Sequence, residues 1–248
     1  MDLRGKVALV TGGGTGLGRA IALALAGAGC DVAVNYSRSS DEAEAAAAEL
    51  RVLGRRAVVL QADVSVQAEA HRLVAETAAA LGGLDVLVNN AGVTRGVPLA
   101  EIEKITPDDW ERIMGVNTAA HLWTTQAAAP LMAARGGGSI LNVTSNSAVT
   151  YLSSSLVYVV SKVAANALTR MLARAVPADV RVNAIAPGWM DTRWIDAYVL
   201  PELRERVRSG ELPLVSLEAT ASMALEIIRN EGMVGETVVI DAGELARG

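Results

Sequence analysis

The sequence predicts an α/β fold in which a parallel, doubly wound sheet of about seven strands carries helices on both faces. Short runs rich in Val, Leu and Ile alternate along the chain with longer Ala-rich stretches. The short runs are continuously apolar, which is typical of strands covered on both faces. The alternation of strand and helix indicates neighbouring parallel strands joined by right-handed crossovers.

The individual elements follow from these runs in chain order. We predict strands at Val7–Thr11, Val32–Tyr36, Ala57–Gln61, Leu84–Asn89, Ser139–Thr144, Val180–Ala186 and Thr237–Asp241. We predict helices at Gly16–Ala26, Asp41–Leu53, Gln67–Leu81, Pro107–Ala134, Leu156–Ala175 and Leu217–Arg229. Asp41, Glu42 and Glu44 fall in the first turn of the second helix, where the macrodipole favours acidic side chains.

Length and composition indicate how the chain is organised. Of its 248 residues, 51% are hydrophobic and 20% are charged, so the chain can bury a substantial core. Because no linker, repeat or low-complexity block interrupts the pattern, we predict one domain over residues 1–248. Residues 189–216 contain no predicted strand. This segment is either a surface excursion or a flap over a site at the carboxyl edge of the sheet.

Several classes of function are disfavoured by composition. The net charge of −5 and the lack of a basic tract argue against nucleic acid as a partner. Residues Met1–Lys6 lead directly into a strand, and no uncharged apolar stretch spans a membrane, so we expect no signal peptide, no membrane partner and a cytoplasmic location. Cys30 is the only cysteine, which excludes an internal disulfide. His71 and His121 lack ligand spacing, so no metal site is expected.

A glycine-rich turn follows the first predicted strand, at Thr11–Arg19. It does not fit the pattern Gly-x-Gly-x-x-Gly, because Leu17 stands where the third glycine should be. It does not fit the nucleotide phosphate loop either, because Arg19 and Ala20 replace Lys and Ser or Thr. The remaining pattern, Thr-Gly-x-x-x-Gly-x-Gly, predicts a dinucleotide site, with a tight strand–helix corner as the alternative.

Tyr158 and Lys162 are four residues apart on a predicted helix, so their heads can share one site. A neighbouring cation favours the phenolate form of a tyrosine. The pair therefore indicates a proton-transfer device, although an ordinary helix surface could carry the same two residues.

Together with Asn89-Asn90-Ala91-Gly92 and Pro187-Gly188, these motifs resemble those of the short-chain dehydrogenase/reductase family, over essentially the whole chain. The resemblance implies a Rossmann-type fold and an NAD(P)-dependent enzyme that acts on CH–OH groups. It also implies a small-molecule carbonyl or alcohol substrate and a homotetramer.

The resemblance also implies which residues bind the cofactor. Asp63 and Val64 would bracket the adenine, and Thr192 would lie near the nicotinamide carboxamide or the phosphates. The full set is Gly12, Gly14, Thr15, Gly16, Leu17, Gly18, Tyr36, Ser37, Arg38, Asp63, Val64, Asn90, Ala91, Gly92, Tyr158, Lys162, Pro187, Gly188, Met190 and Thr192.

The end of the second strand bears on the type of cofactor. A carboxylate about 20 residues after the glycines would bind the ribose of NAD, but Tyr36 holds that place. Ser37 and Arg38 could bind the 2′-phosphate of NADP by charge-assisted hydrogen bonds, unless Arg38 is merely a solvated loop residue. Against NADP, Thr15 stands where NADP-preferring relatives often carry a basic residue. We predict NADP as the preferred cofactor, with NAD possible.

Four residues form the catalytic set that the resemblance implies. Tyr158 would be the general acid and base, and Lys162 would lower the pKa of the phenol and bind the nicotinamide ribose. Ser145, thirteen residues before Tyr158, would orient the substrate oxygen, with Thr144 and Ser147 as nearby competitors. Asn117 would hold a water molecule that relays protons to Lys162.

The sequence thus predicts an NADPH-dependent reductase of a 3-oxoacyl-type or small ketone. One alternative is an NAD-dependent dehydrogenase of a secondary alcohol or sugar, and another is a non-catalytic nucleotide-sensing relative. The substrate pocket is expected to be lined by Trp189, Met190, Trp194, Arg95 and Asn146.

Overall fold

The protein is built around a parallel sheet. The structure, a computed structural model, describes residues 1–153 and 155–247. Its strands are β1 Val7–Val10, β2 Asp31–Tyr36, β3 Ala57–Gln61, β4 Val86–Asn89, β5 Gly138–Val143, β6 Val180–Pro187 and β7 Thr237–Ile240. All neighbours pair in parallel, in the order β3-β2-β1-β4-β5-β6-β7.

Helices connect the strands and cover both faces of the sheet. The α-helices are α1 Gly16–Gly27, α2 Ser40–Val52, α3 Gln67–Leu81, α4 Pro107–Met114, α5 Ala120–Ala133, α6 Ser147–Thr150, α7 Leu156–Ala175, α8 Arg193–Tyr198, α9 Pro201–Arg208, α10 Leu217–Arg229 and α11 Glu244–Arg247. A 3₁₀ turn covers Leu99–Lys104, and a π-helical turn, Gly115–Ala119, lies between α4 and α5.

The predicted fold class is confirmed, and each predicted strand agrees with an observed strand to within two residues at either end. One expectation about helices is wrong. The continuous α-helix predicted for residues 107–134 is divided into α4 and α5 by the π turn, which contains the buried Asn117. Residues 189–216, where no strand was predicted, contain α8 and α9, and Trp189 forms a parallel bridge with Leu214.

The side chains of the central strands alternate between two hydrophobic layers. Along β1, Ala8 and Val10 pack in the layer that contains α1 and α10. Val7 and Leu9 point the other way, into the layer of α3 and α5. All four side chains are buried, because both faces of the sheet are covered. This double burial explains why the strand sequences are apolar throughout.

Helix α7 has 20 residues and contains an 18-residue window with a mean hydropathy of 1.3; within the described residues it is the one helix long and apolar enough to cross a membrane. In this fold one side of α7 packs against β6. The helix also carries a buried lysine, Lys162. The core helices of α/β proteins meet the same length and composition criteria, and α7 has the position of such a helix.

Strand order reverses between β1 and β4. From β1 the chain extends the sheet through β2 and β3, and it then returns to place β4 on the opposite side of β1. The two connections leave the sheet in opposite directions, which opens a crevice at the carboxyl ends of β1 and β4.

Helix α5 places a histidine in the core. His121 is only 1% exposed, and neither ring nitrogen has a hydrogen-bond partner among the described residues. Burial, together with the positive charge of Lys162, lowers the pKa of His121 to about 3. The imidazole is therefore neutral in the folded chain at neutral pH.

We expect His121 to make the fold sensitive to acid. Because the pKa of His121 is lowered from 6.5 to about 3 on folding, the unfolded chain binds the additional proton. The free energy of unfolding should therefore fall as the pH drops from about 6.5 towards 3. His121→Leu should reduce this fall by an amount on the order of a few kcal/mol, measured by urea unfolding between about pH 7 and 4.

The control is His71→Leu. It makes the same substitution at the other histidine of the chain, on α3, and shows whether the effect is particular to the position of His121. If the free energy of unfolding falls equally with pH in His121→Leu and in the original chain, the lowered pKa of His121 is contradicted.

Candidate active site

A cleft of about 610 Å³ opens at the carboxyl ends of the strands, in the crevice between β1 and β4. Its volume is typical of small-molecule sites. Every residue predicted to bind a cofactor lines it: Gly12, Gly14, Thr15, Gly16, Leu17, Gly18, Tyr36, Ser37, Arg38, Asp63, Val64, Asn90, Ala91, Gly92, Tyr158, Lys162, Pro187, Gly188, Met190 and Thr192. The fold therefore brings this set together from motifs that are distant in sequence.

The glycine turn forms the floor of the cleft between β1 and α1. Gly12 and Gly16 have φ values of +60° and +51°, which glycine adopts without strain. A Cβ atom on Gly18 would overlap the side-chain nitrogen of Asn90 and the carbonyl oxygen of Gly12. The turn thus requires glycine for both its conformation and its close packing, and the start of α1 faces the cleft with its free N–H groups.

Hydrogen bonds between Thr11 and Asn90 fasten the glycine turn to the end of β4. The Thr11 hydroxyl oxygen accepts hydrogen bonds from the backbone N–H groups of Asn90, at 2.9 Å, and Ala91, at 3.0 Å. In return, Asn90 Nδ2 donates to the carbonyl oxygens of Thr11, at 2.9 Å, and Gly12, at 3.2 Å. These bonds hold both walls of the crevice at a fixed separation.

Asn35, at the end of β2, fixes the other side of the turn, and the sequence reasoning missed it. Its Oδ1 accepts a hydrogen bond from the N–H of Gly12 at 3.3 Å. Its Nδ2 lies within 3.2 to 3.3 Å of the carbonyl oxygens of Tyr36, Leu60 and Ala62. An asparagine inside an otherwise apolar strand was the signal that could have identified it.

One end of the cleft is suited to an adenosine. Tyr36 and Arg38 line it from the end of β2, and Arg38 is exposed. Asp63 lines it from the end of β3, where its carboxylate also accepts hydrogen bonds from the backbone and hydroxyl of Ser65, at 3.0 and 2.6 Å. Asp63 thus caps a turn and still faces the cleft.

The residues present fit a bound dinucleotide. The glycine turn leaves room where side chains would otherwise stand, and α1 offers N–H groups for a diphosphate. The cleft runs without interruption from Arg38 at one end to Tyr158 and Lys162 at the other. The cleft can therefore hold an extended ligand with an anionic middle.

Tyr158 and Lys162 project from α7 towards the end of β5. Ser155 caps the helix, its hydroxyl accepting a hydrogen bond from the N–H of Tyr158 at 3.3 Å. Lys162 is 3% exposed; its Nζ donates to the carbonyl oxygen of Val143 at 2.9 Å and lies 5.6 Å from the centre of the Tyr158 ring. The Tyr158 phenol is hydrogen-bonded to the side chain of Ser145, which follows β5. The three predicted catalytic side chains therefore converge at one point.

Burial controls the acidity of these groups. It raises the pKa of Tyr158 to about 12, against the opposing effect of the hydrogen bond with Ser145. It lowers the pKa of Lys162 to about 8, because an ammonium group is disfavoured away from water. The expected lowering of the Tyr158 pKa by Lys162 is not found: the opposing effect comes from the hydrogen bond with Ser145, and burial outweighs it.

The geometry favours Ser145 over its competitors. The Thr144 hydroxyl donates to the carbonyl oxygen of Ile185 at 3.2 Å, so it is held by β6. Ser147 lies one turn further along, and its N–H donates to the Ser145 hydroxyl oxygen at 3.2 Å. Ser145 is therefore oriented by its neighbour and contacts the phenol.

Asn117 lies behind the cleft wall, in the π turn, and is fully buried. Its Oδ1 accepts from the N–H of Val93 at 2.8 Å, and its Nδ2 donates to the carbonyl oxygen of Val93 at 2.9 Å and to the Ser161 hydroxyl at 3.0 Å. The Ser161 hydroxyl donates to the carbonyl oxygen of Tyr158 at 2.7 Å. Asn117 thus ties the chain after β4 to the helix of Tyr158, and the water relay to Lys162 stays a prediction.

Ser161 was missed by the sequence reasoning. It stands next to Lys162 and three residues after Tyr158, so it lies on the same helix with a hydroxyl that can reach the preceding turn. A polar residue at this spacing was the available signal.

The third side of the cleft is aromatic and apolar. The Trp194 ring lies 6.0 Å from the Tyr158 ring and 4.8 Å from the Tyr198 ring, measured between centres. Leu152 and Val199 also line this part. This side of the cleft therefore presents an apolar surface next to Tyr158.

The residues expected to line the substrate pocket divide into two groups. Met190, Trp189, Trp194 and Asn146 line the cleft. Asn146 Nδ2 and Trp189 Nε1 donate to the Glu244 carboxylate at 2.6 and 3.3 Å, which links them to α11. Arg95 was wrongly placed, because its guanidinium pairs with Asp109, away from the cleft.

Comparison with known proteins agrees with this geometry. The family model of the short chain dehydrogenases matches residues 6–199. The chain is 40% identical over 191 residues to the Streptomyces violaceoruber protein named "Granaticin polyketide synthase putative ketoacyl reductase 2", which covers 75% of this chain and 76% of that protein. A crystal structure of a short chain dehydrogenase from Burkholderia cenocepacia J2315 in complex with NADP superposes with a TM-score of 0.86 at 34% identity, covering 97% of this chain and 98% of that one.

A Serratia marcescens short-chain dehydrogenase/reductase mutant superposes with a TM-score of 0.87 at 31% identity, over 98% of this chain and 99% of that one. These likenesses extend over the sheet, the glycine turn and the helix that carries Tyr158. The chain is an oxidoreductase acting on CH–OH or ketone groups, and it belongs to the short-chain dehydrogenase/reductase family.

Proposed function

We propose that the protein is an NADPH-dependent reductase of a 3-oxoacyl-type or small ketone. The observation that carries the proposal is the convergence of Ser145, Tyr158 and Lys162 at one end of the cleft. The other end presents Arg38, and Tyr36 stands at the end of β2 in place of the carboxylate that would bind the ribose of NAD. The name of the Streptomyces relative and the NADP in the Burkholderia structure support the same class.

In this proposal the chain supplies a proton and holds the reacting oxygen. Hydride comes from the nicotinamide when the cofactor is bound. Tyr158 donates its phenolic proton to the carbonyl oxygen, and Ser145 donates a hydrogen bond to the same oxygen as negative charge develops there. Lys162 keeps a positive charge at the inner end of the cleft, beside the Tyr158 ring. Alcohol oxidation uses the same groups in reverse, with the phenolate as base.

The cleft also indicates which residues hold the cofactor. The turn from Gly12 to Gly18 and the start of α1 would bind the diphosphate. Pro187 and Thr192 would flank the nicotinamide, and Arg38 would bind the 2′-phosphate. The Trp194 ring and its apolar neighbours form the wall at the reacting end and would limit the access of water when the cofactor and substrate are bound. This apolar wall supports a ketone with an apolar flank.

NAD-dependent oxidation of a secondary alcohol or sugar is the second candidate, and one observation favours it. Thr15 provides no positive charge at the glycine turn, where NADP-preferring relatives often have one. The comparison of the two cofactors below decides between the candidates.

We also propose that residues 1–248 form one cytoplasmic domain, that residues 189–216 act as a substrate flap, and that the chain assembles as a homotetramer. Exposed Val160, Val163 and Met171 on α7 support the assembly, because an apolar helix face favours pairing.

Replacing Tyr158 by Phe should remove the proton donor while keeping the shape of the ring. We expect kcat for ketone reduction to fall by roughly 10²–10⁴, with NADPH affinity nearly unchanged. Initial rates at 340 nm measure kcat, and NADPH fluorescence titration measures the affinity for NADPH. Tyr151→Phe is the control: Tyr151 is 70% exposed and outside the cleft, so its kcat should stay normal. Substantial turnover by Tyr158→Phe would contradict the role of Tyr158 as the general acid.

The two directions of the reaction should respond differently to pH. Because the pKa of Tyr158 is about 12, the phenol stays protonated near neutrality, and kcat/KM for reduction should be flat from about pH 6 to 7. Oxidation needs the phenolate, whose fraction rises with pH, so its kcat/KM should increase over the same range. Above about pH 8, loss of the Lys162 proton should limit both directions. Initial rates of oxidation that decline from about pH 6 to 7 would contradict this account.

Arg38→Gln should weaken NADPH binding by about tenfold and leave NADH binding unchanged, because a charge-assisted contact to the 2′-phosphate is lost. Fluorescence titration with both cofactors tests this. Arg229→Gln serves as the control, since Arg229 ends α10 and pairs with Glu226 outside the cleft. If the original chain has the higher kcat/KM with NAD(H), the proposed NADP preference is wrong.

A further inference from the structure

Arg193 reaches from the flap to the opposite wall of the cleft. Its Nη1 donates to the Glu42 carboxylate at 2.7 Å. Its Nη2 lies 3.3 Å from the hydroxyl oxygens of both Thr15 and Ser39. The flap and the two loops that follow β1 and β2 therefore meet at a single guanidinium.

An ion pair alone does not account for this placement. Arg193 and Glu42 are 60% and 45% exposed, and pairs this exposed contribute little to stability. Ordering a long side chain also costs conformational entropy. The Arg193 guanidinium donates to oxygen atoms beside both loops, which keeps its plane and its charge in one place, and a planar cation held in this way suits an oxyanion.

The position of the guanidinium is informative. It lies beside Thr15, in the glycine turn, and beside Ser39, directly after Arg38. Thr15, Arg38, Ser39 and Arg193 all line the cleft. A residue of the flap thus adds a positive charge next to the loop that carries Arg38.

We propose that Arg193 is a second cation for the 2′-phosphate of NADP, beside Arg38, and that this contact holds the flap closed over the cofactor. The inference rests on the proposed NADP preference. In this arrangement the 2′-phosphate is bound by a residue of the flap, Arg193, as well as by Arg38 in the loop after β2.

The short helix α8 connects Arg193 to the aromatic side chain that lies next to Tyr158. Thr192 caps α8, its hydroxyl accepting a hydrogen bond from the N–H of Trp194 at 3.4 Å. Arg193 and Trp194 are adjacent in the first turn, and the Trp194 ring faces Tyr158. Fixing Arg193 on a phosphate therefore also fixes the aromatic wall of the substrate pocket.

The test compares 2′,5′-ADP with 5′-AMP, which differ only in the 2′-phosphate, by calorimetric titration. The original chain should bind 2′,5′-ADP more tightly. Arg193→Gln should weaken 2′,5′-ADP binding by about tenfold and leave 5′-AMP binding unchanged. Arg208→Gln is the matched control: Arg208 lies in the same flap, is also 60% exposed and pairs with Asp196, so it should bind as the original chain does.

Hydrogen–deuterium exchange tests closure of the flap. Saturating 2′,5′-ADP should slow exchange in residues 189–216 of the original chain and of Arg208→Gln, whereas saturating 5′-AMP should slow it less. In Arg193→Gln the two nucleotides should protect the flap equally.

Glu42→Gln separates a phosphate contact from a simple latch. Glu42 competes for the guanidinium, so its neutral replacement should keep or strengthen 2′,5′-ADP binding. If Glu42→Gln weakens binding as much as Arg193→Gln does, the Arg193–Glu42 pair acts as a latch and the phosphate contact is refuted.

The outcomes also separate this inference from the proposed function. If the original chain does not discriminate between the two nucleotides, the NADP preference fails and the inference fails with it. If the original chain discriminates and Arg193→Gln discriminates equally well, only the role of Arg193 is overturned.

Discussion

The reciprocal hydrogen bonds between Thr11 and Asn90 are the constraint on which the cleft depends. At the strand-order reversal, β1 and β4 send their chains to opposite faces of the sheet, and the backbone groups at both strand ends need partners. The Thr11 hydroxyl and the Asn90 amide supply them. Gly18 must then lack a side chain, because Asn90 occupies that space. The glycine pattern is a consequence of this packing as well as of ligand binding.

Much of the fold and site could be predicted because the signals are local. Apolar runs mark the strands, and the carboxyl ends of parallel strands share one edge, so motifs at those ends must meet. Asn35, Ser161 and the π turn at Asn117 were not predictable in the same way. Each depends on a partner that is distant in sequence: Asn117 bonds Val93 and Ser161, 24 and 44 residues away.

Electrostatics was the least predictable part of the site. The sequence places Lys162 one helical turn from Tyr158, which by itself suggests a lowered pKa for the phenol. The packed cleft reverses this, because burial raises the pKa of Tyr158 and lowers that of Lys162. Arg193 illustrates the same limit, since it meets Thr15 across 178 residues of chain. Charge position and solvent access emerge only once the layers are assembled.

The bridge between Trp189 and Leu214 has a consequence for how this scaffold can change. The N–H of Val215 also donates to the carbonyl oxygen of Trp189 at 2.7 Å, so the intervening residues begin and end at one place, just after β6. They carry a small apolar cluster of their own, which includes Ile195 and Val207. Because loop-closure entropy grows slowly with length, a longer or shorter insert between the same two anchors costs little. The length of the segment can therefore change with little effect on the strands and helices that carry Ser145, Tyr158 and Lys162.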